Sequence, residues 1–152
     1  MISIEQLQIL SLALIGKHGE PIYLRNFTPQ TGGEVDLKWF YAAHTSLDIF
    51  EERDLLPHHI LGNYFGLLYT MEDYVCYGFQ SNTKIRVVIC LAVRESLVRD
   101  QDVQKVLKSI YLIFVDHISN PFYQIPIDSP TSIVQPIKSK SFDLRIQKLL
   151  GL

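Results

Sequence analysis

Cysteine is scarce in this chain of 152 residues. Cys76 and Cys90 are the two present, too few for the dense cross-linking of small secreted scaffolds. Long apolar runs are missing as well: Leu12 to Ile15 and Val87 to Val93 fall well short of a membrane span. No basic stretch precedes an apolar one in Met1 to Gln6, so the N-terminus does not read as an export signal and a cytoplasmic location is expected. Charge of one sign does not accumulate either. Fourteen Lys and Arg stand against 16 Asp and Glu, interspersed, with a net charge of −2. Binding to nucleic acid or to a membrane surface through charge is therefore not expected.

Chemical signatures are equally thin. Thr31-Gly32-Gly33-Glu34 lacks the lysine and the spacing of a phosphate-binding loop, and no dinucleotide fingerprint occurs. His58-His59 are adjacent, with no Cys or carboxylate at ligand spacing, so no metal site is expected. No cofactor and no catalytic residue is assigned.

What the chain does have is a 47% apolar composition with 20% charged residues, a globular balance at a length that buries a real core. No domain boundary or internal repeat is visible, and residues 1–152 read as one domain. Leu7 to Gly16 is almost continuously apolar and precedes a turn cluster. Ile22 to Phe27 alternates as an edge strand should, so the two predict a hairpin. Glu34 to Arg53 is the clearest helix. Leu37, Trp39, Phe40, Ala43, Leu47 and Phe50 fall on one arc, which makes Phe40 and Leu47 core positions and leaves Trp39 and Phe50 at the rim. Leu55 to His59 reads as a linker.

Three strands follow: Tyr64 to Tyr69, Tyr74 to Phe79 and Ile85 to Val93. The last is apolar on both parities, as is the first strand of the chain, and such strands lie inside a sheet covered on both faces. The short hairpin connections predict a mostly antiparallel sheet, with the strand of Tyr64 and Phe65 as an edge open to a partner. A second helix runs from about Asp102 to Ser119 and stops at Asn120-Pro121. Residues 121–140 read as an extended connector, and a short helix from Ser141, its candidate N-cap, to Leu150 closes the chain. The order is ββαβββαα, an α+β (α/β) domain with a sheet between helices.

With Asn82-Thr83 as a two-residue turn, Ser81 faces Lys84, Cys76 faces Ile89 and Cys90 faces Val75. The thiols then point to opposite faces and a disulfide is excluded; a loop one residue longer or shorter reverses that result. Reduced, buried thiols are expected.

His44 and Asp48 lie four apart on the first helix, hence on one face, at the rim of the apolar stripe with Glu51 and Tyr41 beside them. A hydrogen bond anchoring the helix to the sheet and a contact with a partner both account for the pair. A catalytic triad would need a nucleophile elbow and an oxyanion segment, and neither is recognisable. His117 reads as a core or rim histidine whose charge the helix C-terminus favours. The eight Tyr and eight Phe mostly alternate within strands, as core residues do. Trp39, Tyr41, His44, Asp48, Phe50, Tyr64 and Phe65 are the candidate partner-interface or helix-anchoring residues.

Longer strings carry a resemblance. His44-Thr45-Ser46-Leu47-Asp48, then Leu61-Gly62-Asn63-Tyr64-Phe65-Gly66-Leu67-Leu68-Tyr69-Thr70-Met71-Glu72-Asp73-Tyr74, are similar to the sedlin-like (subunit 2-like) branch of the TRAPP vesicle-tethering assembly. Tyr77-Gly78, Ser81-Asn82-Thr83-Lys84-Ile85 and Asn120-Pro121-Phe122-Tyr123 follow in the same order. The resemblance implies a longin (SNARE-like) fold, five strands with the first helix on one face and the later two on the other. It also implies a non-catalytic adaptor contacting other TRAPP subunits, in a complex that exchanges nucleotide on Rab GTPases at the Golgi. The Rab is then met only through the complex, and Asp48 occupies the helix-1 aspartate position of that family. A stand-alone longin or profilin-like regulatory or ligand-sensing domain is the alternative.

Overall fold

Strands that are apolar on both parities become the middle of the sheet. In the computed structural model, which describes residues 8–27, 33–55, 63–93, 99–119 and 140–150, the elements are β1 (Ile9–Ile15), β2 (Pro21–Asn26), α1 (Gly33–Asp54), β3 (Tyr64–Thr70), β4 (Tyr74–Gln80), β5 (Arg86–Ala92), α2 (Asp100–Ile118) and α3 (Lys140–Leu150). All pairings are antiparallel, in the order β2-β1-β5-β4-β3. This is the expected ββαβββαα order in a longin-like arrangement, with doubly apolar β1 and β5 enclosed and β2 and β3 at the edges. The expected Asn120-Pro121 stop, residues 121–139 of the connector and the His58-His59 pair lie outside the described residues. Lys140 already opens α3, which puts Ser141 inside the helix instead of at its N-cap.

Each face of the sheet has its own core. Leu12, Leu14, Val87, Ile89 and Leu91 pack against Val103, Val106, Leu107 and Ile110 of α2 and Phe142 and Ile146 of α3. Ala13, Ile15, Val88 and both cysteines pack against α1 on the other face. An extra β1 residue between Ile9 and Ser11 lets Ile9 join the α2 side and Ser11 stand opposite Cys90.

The α1 face of the sheet is built of small residues, and α1 answers with its own. Its buried stripe is Trp39, Ala42, Ala43, Ser46, Leu47 and Phe50. The hydrophobic arc read from the sequence is therefore rotated: Leu47 is core as expected, but Trp39 is 6% exposed and Phe40 36%. A helix seated on Ala13, Cys76, Gly78 and Cys90 approaches closely through Ala42, Ala43 and Ser46, and this turns Leu37 and Phe40 out. Phe50, expected at the rim, is fully buried. A Cβ on Gly78 would lie 2.5 Å from the Phe50 ring and 2.7 Å from Leu68, so the ring fits only over a bare glycine.

The cysteine geometry also differs from the expectation. Gln80 pairs with Arg86, and Cys76 lies directly opposite Cys90. The hairpin uses three loop residues instead of two: Lys84 N–H donates to the Ser81 carbonyl at 3.0 Å, and Lys84 takes φ 68°. A two-residue loop would need positive φ at Asn82 and Thr83, and a β-branched residue resists that conformation. The extra residue puts both thiols on the α1 face. Both are free, with the sulfurs 2.8 Å apart. The hydrogen bond to Cys76, together with burial, pushes the Cys90 thiol far up.

On the other face, α3 is tied to β2 and α2. Tyr23 Oη–H donates to Asp143 at 2.5 Å, Arg25 donates to the Asp143 carbonyl at 3.2 Å, and Arg145 pairs with Asp116 at 2.6 Å. Burial, then the Asp143 bond, pushes the Tyr23 hydroxyl up to about 12. The His117 ring sits 5.1 Å from Phe142. Its pKa lies below the usual 6.5, through burial first and Arg145 second. The charged ring is not favoured there as expected: burial and the Arg145 cation outweigh Asp116.

Two predictions follow from this packing. Trp39→Ala should lose about 3–5 kcal/mol in urea unfolding, whereas Phe40→Ala should stay within about 0.5 kcal/mol of the parent; equal losses would contradict the rotated face. Because the folded chain holds His117 below its unfolded pKa, the unfolded state binds the proton more tightly. Its contribution is present above pH 6.5 and declines as pH falls through that value toward the folded pKa. His117→Gln should flatten the stability slope over this range, read from urea midpoints.

Candidate partner interface

Leu37, Phe40, His44, Asp48 and Glu51 recur along α1 at three- and four-residue spacings, so they share one side of the helix, and Leu55 follows just past its end. All are exposed. Tyr41, 64% exposed, borders them. The first turns of this stripe are apolar and aromatic, the middle is His44, whose ring contacts Phe40 at 4.4 Å, and the last turns are acidic. Among the described residues neither His44 nor Asp48 makes a hydrogen bond to the sheet. Other residues hold the helix. Lys38 pairs with Asp73, and Gln80 Nε2 donates to the Asp54 carboxylate at 3.2 Å. Arg86 lies 3.9 Å from that carboxylate, with its guanidinium over the Phe50 ring.

Between the α1 stripe and β2 lies a groove of about 540 Å³. Leu24, Leu37, Trp39 and Phe40 supply its apolar wall, and Ser11, Asn26 and Arg25, whose guanidinium is paired with Asp143, complete the described lining. A shallower extension continues between Pro21 of β2 and His44 of α1. Trp39 packs edge-on against Tyr74 at 5.1 Å, and the Lys38 ammonium lies over its ring. The indole Nε1–H is buried and has no acceptor among the described residues. Such an orphan donor costs about 1–3 kcal/mol.

The two sheet edges are unequal. β3 carries two register irregularities and Gly66 at φ 72°. Arg53 of α1 donates to the Phe65 carbonyl at 2.6 Å and the Leu67 carbonyl at 2.8 Å. Bulges and occupied carbonyls are devices that keep an edge from pairing with another chain. β3 is thus at the edge as expected, but it is shielded.

The seven sequence candidates divide accordingly. Tyr41, His44 and Asp48 share the exposed side of α1. Trp39 lines the groove from within, and Phe50 and Phe65 are core residues 4.8 Å apart. Tyr64, half-buried at β3, has its hydroxyl 3.3 Å from Asp100 of α2 and is raised by burial and that carboxylate. Leu24, Leu37 and Phe40 were missed as a surface, whereas Glu51 stands beside His44 and Asp48 as the helical projection placed it. The sequence signal was available in the spacing from Leu37 to Leu55, had Ala42 and Ser46 been given the buried side. Among the described residues no cluster of three or more His, Cys, Asp or Glu could hold a metal, and no helix is long and apolar enough to cross a membrane.

A five-stranded antiparallel sheet with one helix on one face and two on the other defines a longin-like domain. Residues 14–151 match the family model described as Sedlin, and the chain belongs to the sedlin family. It is 36% identical over 121 residues to the trafficking protein particle complex subunit 2-like protein of Dictyostelium discoideum, covering 77% of this chain and 84% of that protein. The proteins of the same name from Xenopus tropicalis and Mus musculus are each 31% identical over 143 residues, 91% of this chain and 94% of theirs.

If Arg53 shields β3, Arg53→Gln should speed amide exchange across Tyr64–Thr70 by tenfold or more while β1 and β5 keep their protection. Unchanged exchange at β3 would show that the bulges alone suffice.

Proposed function

We propose that this chain is a non-catalytic subunit of a trafficking protein particle complex. The observation that carries the reading is similarity over 91% of the chain to subunit 2-like proteins of that complex. The exposed α1 stripe supports it, since apolar and unpaired charged groups side by side on a helix suit a protein partner. Its task in this reading is adaptor-like: it joins other subunits and supports guanine-nucleotide exchange on a Rab GTPase by the assembled complex, in the cytoplasm at Golgi membranes. Tyr41, His44 and Asp48 are the contact residues. Rab meets the complex and not this chain alone.

The test is affinity purification of the tagged chain at endogenous level in mild salt, with mass spectrometry of the eluate. Near-stoichiometric recovery of the other complex subunits is expected, together with slower Rab nucleotide exchange by particles purified from cells lacking the chain. Recovery of the chain alone would overturn the reading.

A further inference from the structure

The surface of α1 and the edge of β2 belong together. Phe27 N–H donates to the Leu10 carbonyl at 2.9 Å. Counting by twos through the pairs Leu12↔Arg25 and Leu14↔Tyr23 turns the backbone groups of Tyr23 and Arg25 inward to β1. The N–H and carbonyl of Leu24 therefore face the outer edge. The Leu24 side chain, paired with Ala13, stands on the α1 face and forms the groove wall opposite Phe40. A strand laid along β2 would thus meet the outward N–H and carbonyl of Leu24, which bond to no other described residue, and alternate side chains would drop into the groove.

Charge says what kind of strand. Asp48, Glu51 and Glu52 are exposed on α1, and none makes an ion pair with another described residue. Their position in the last turns of a helix, where the dipole disfavours negative charge, gives them no local reward. In the neighbouring β1–β2 turn, Lys17 and Glu20 offset one another, and the Glu20 carboxylate is engaged by His18 N–H. The acidic end of the stripe is left uncompensated.

We propose that the groove between β2 and α1 seats an extended segment of a partner polypeptide. An apolar side chain fills the space beside Trp39 and Phe40, an acceptor meets the Trp39 indole N–H, and lysine or arginine side chains meet Asp48 and Glu51. The inference rests on the reading of the chain as a complex subunit and adds the chemistry of its contact. The other edge offers no equivalent, since Arg53 holds its carbonyls.

The experiment has two arms. In the first, the isotope-labelled full chain is titrated with a synthetic peptide alternating valine with lysine, and with its counterpart carrying glutamate for lysine. The basic peptide should shift the Trp39 indole N–H and the Leu24 amide, and Phe40→Glu or Asp48→Lys with Glu51→Lys should weaken it at least tenfold. Equal binding of the acidic peptide, shifts elsewhere, or none at millimolar peptide would overturn the assignment. In the second, Phe40→Glu and the control Leu112→Glu, on exposed α2 surface, are compared in the tagged purification, with melting of each checked first. Loss of partners by Phe40→Glu alone supports the groove. Full retention by Phe40→Glu overturns it while the subunit reading stands. Peptide binding without any subunit recovered by the parent chain would sink the subunit reading alone.

Discussion

The close seat of α1 on the sheet is the constraint from which the rest follows. Phe50 lies over the bare Cα of Gly78, and Ala42, Ala43 and Ser46 face Ala13 and the two cysteines. The two aromatic side chains of the buried stripe, Trp39 and Phe50, stand at its ends, beyond the close contact of Ala42, Ala43 and Ser46. The rotation that buries these two also fixes what is left outside: Leu37, Phe40, His44 and Asp48. The same seat brings Arg53 to the β3 carbonyls and Asp54 to Gln80 and Arg86. One packing decision thereby shields one sheet edge and leaves a groove beside the other.

The sheet was legible in the sequence because its signal is redundant. β1 and β5 are apolar on both parities, and strands of that kind sit in the middle whatever their neighbours do. The sequence spacing of elements supplied the order, and the resemblance in strings such as Gly62-Asn63-Tyr64-Phe65-Gly66 supplied the family. The helix face was harder. Hydrophobic weight favours Leu37 and Phe40 over Ala42 and Ser46, yet a helix on a small-residue surface is placed by fit and not by transfer energy. The hairpin register failed for a related reason: one residue of loop decides it, and Lys84 accepts a left-handed conformation that Thr83 resists.

The candidate site divides along the same line. Tyr41, His44 and Asp48 were placed together by helical spacing, which needs no knowledge of packing. Separating Phe50 and Phe65 from them required knowing which side of α1 meets the sheet, and that depends on Gly78, a residue whose part is to have no side chain. Leu24 was invisible as a site residue because its importance lies in register: it faces α1 only because it pairs with Ala13.

The inequality of the two edges gives the strongest physical argument for direction in this domain. A five-stranded open sheet has two templates for unwanted pairing, and each needs protection or use. β3 spends two irregularities, a left-handed glycine and an arginine on its own protection. β2 carries a single irregularity, at Leu14/Ile15, beside its one edge proline, Pro21, and keeps a regular run through Leu24. An edge left regular next to an apolar groove and a buried donor without an acceptor is an aggregation hazard in an isolated chain. Among the described residues no strand covers the outer edge of β2, which fits the proposed seating of a partner strand there.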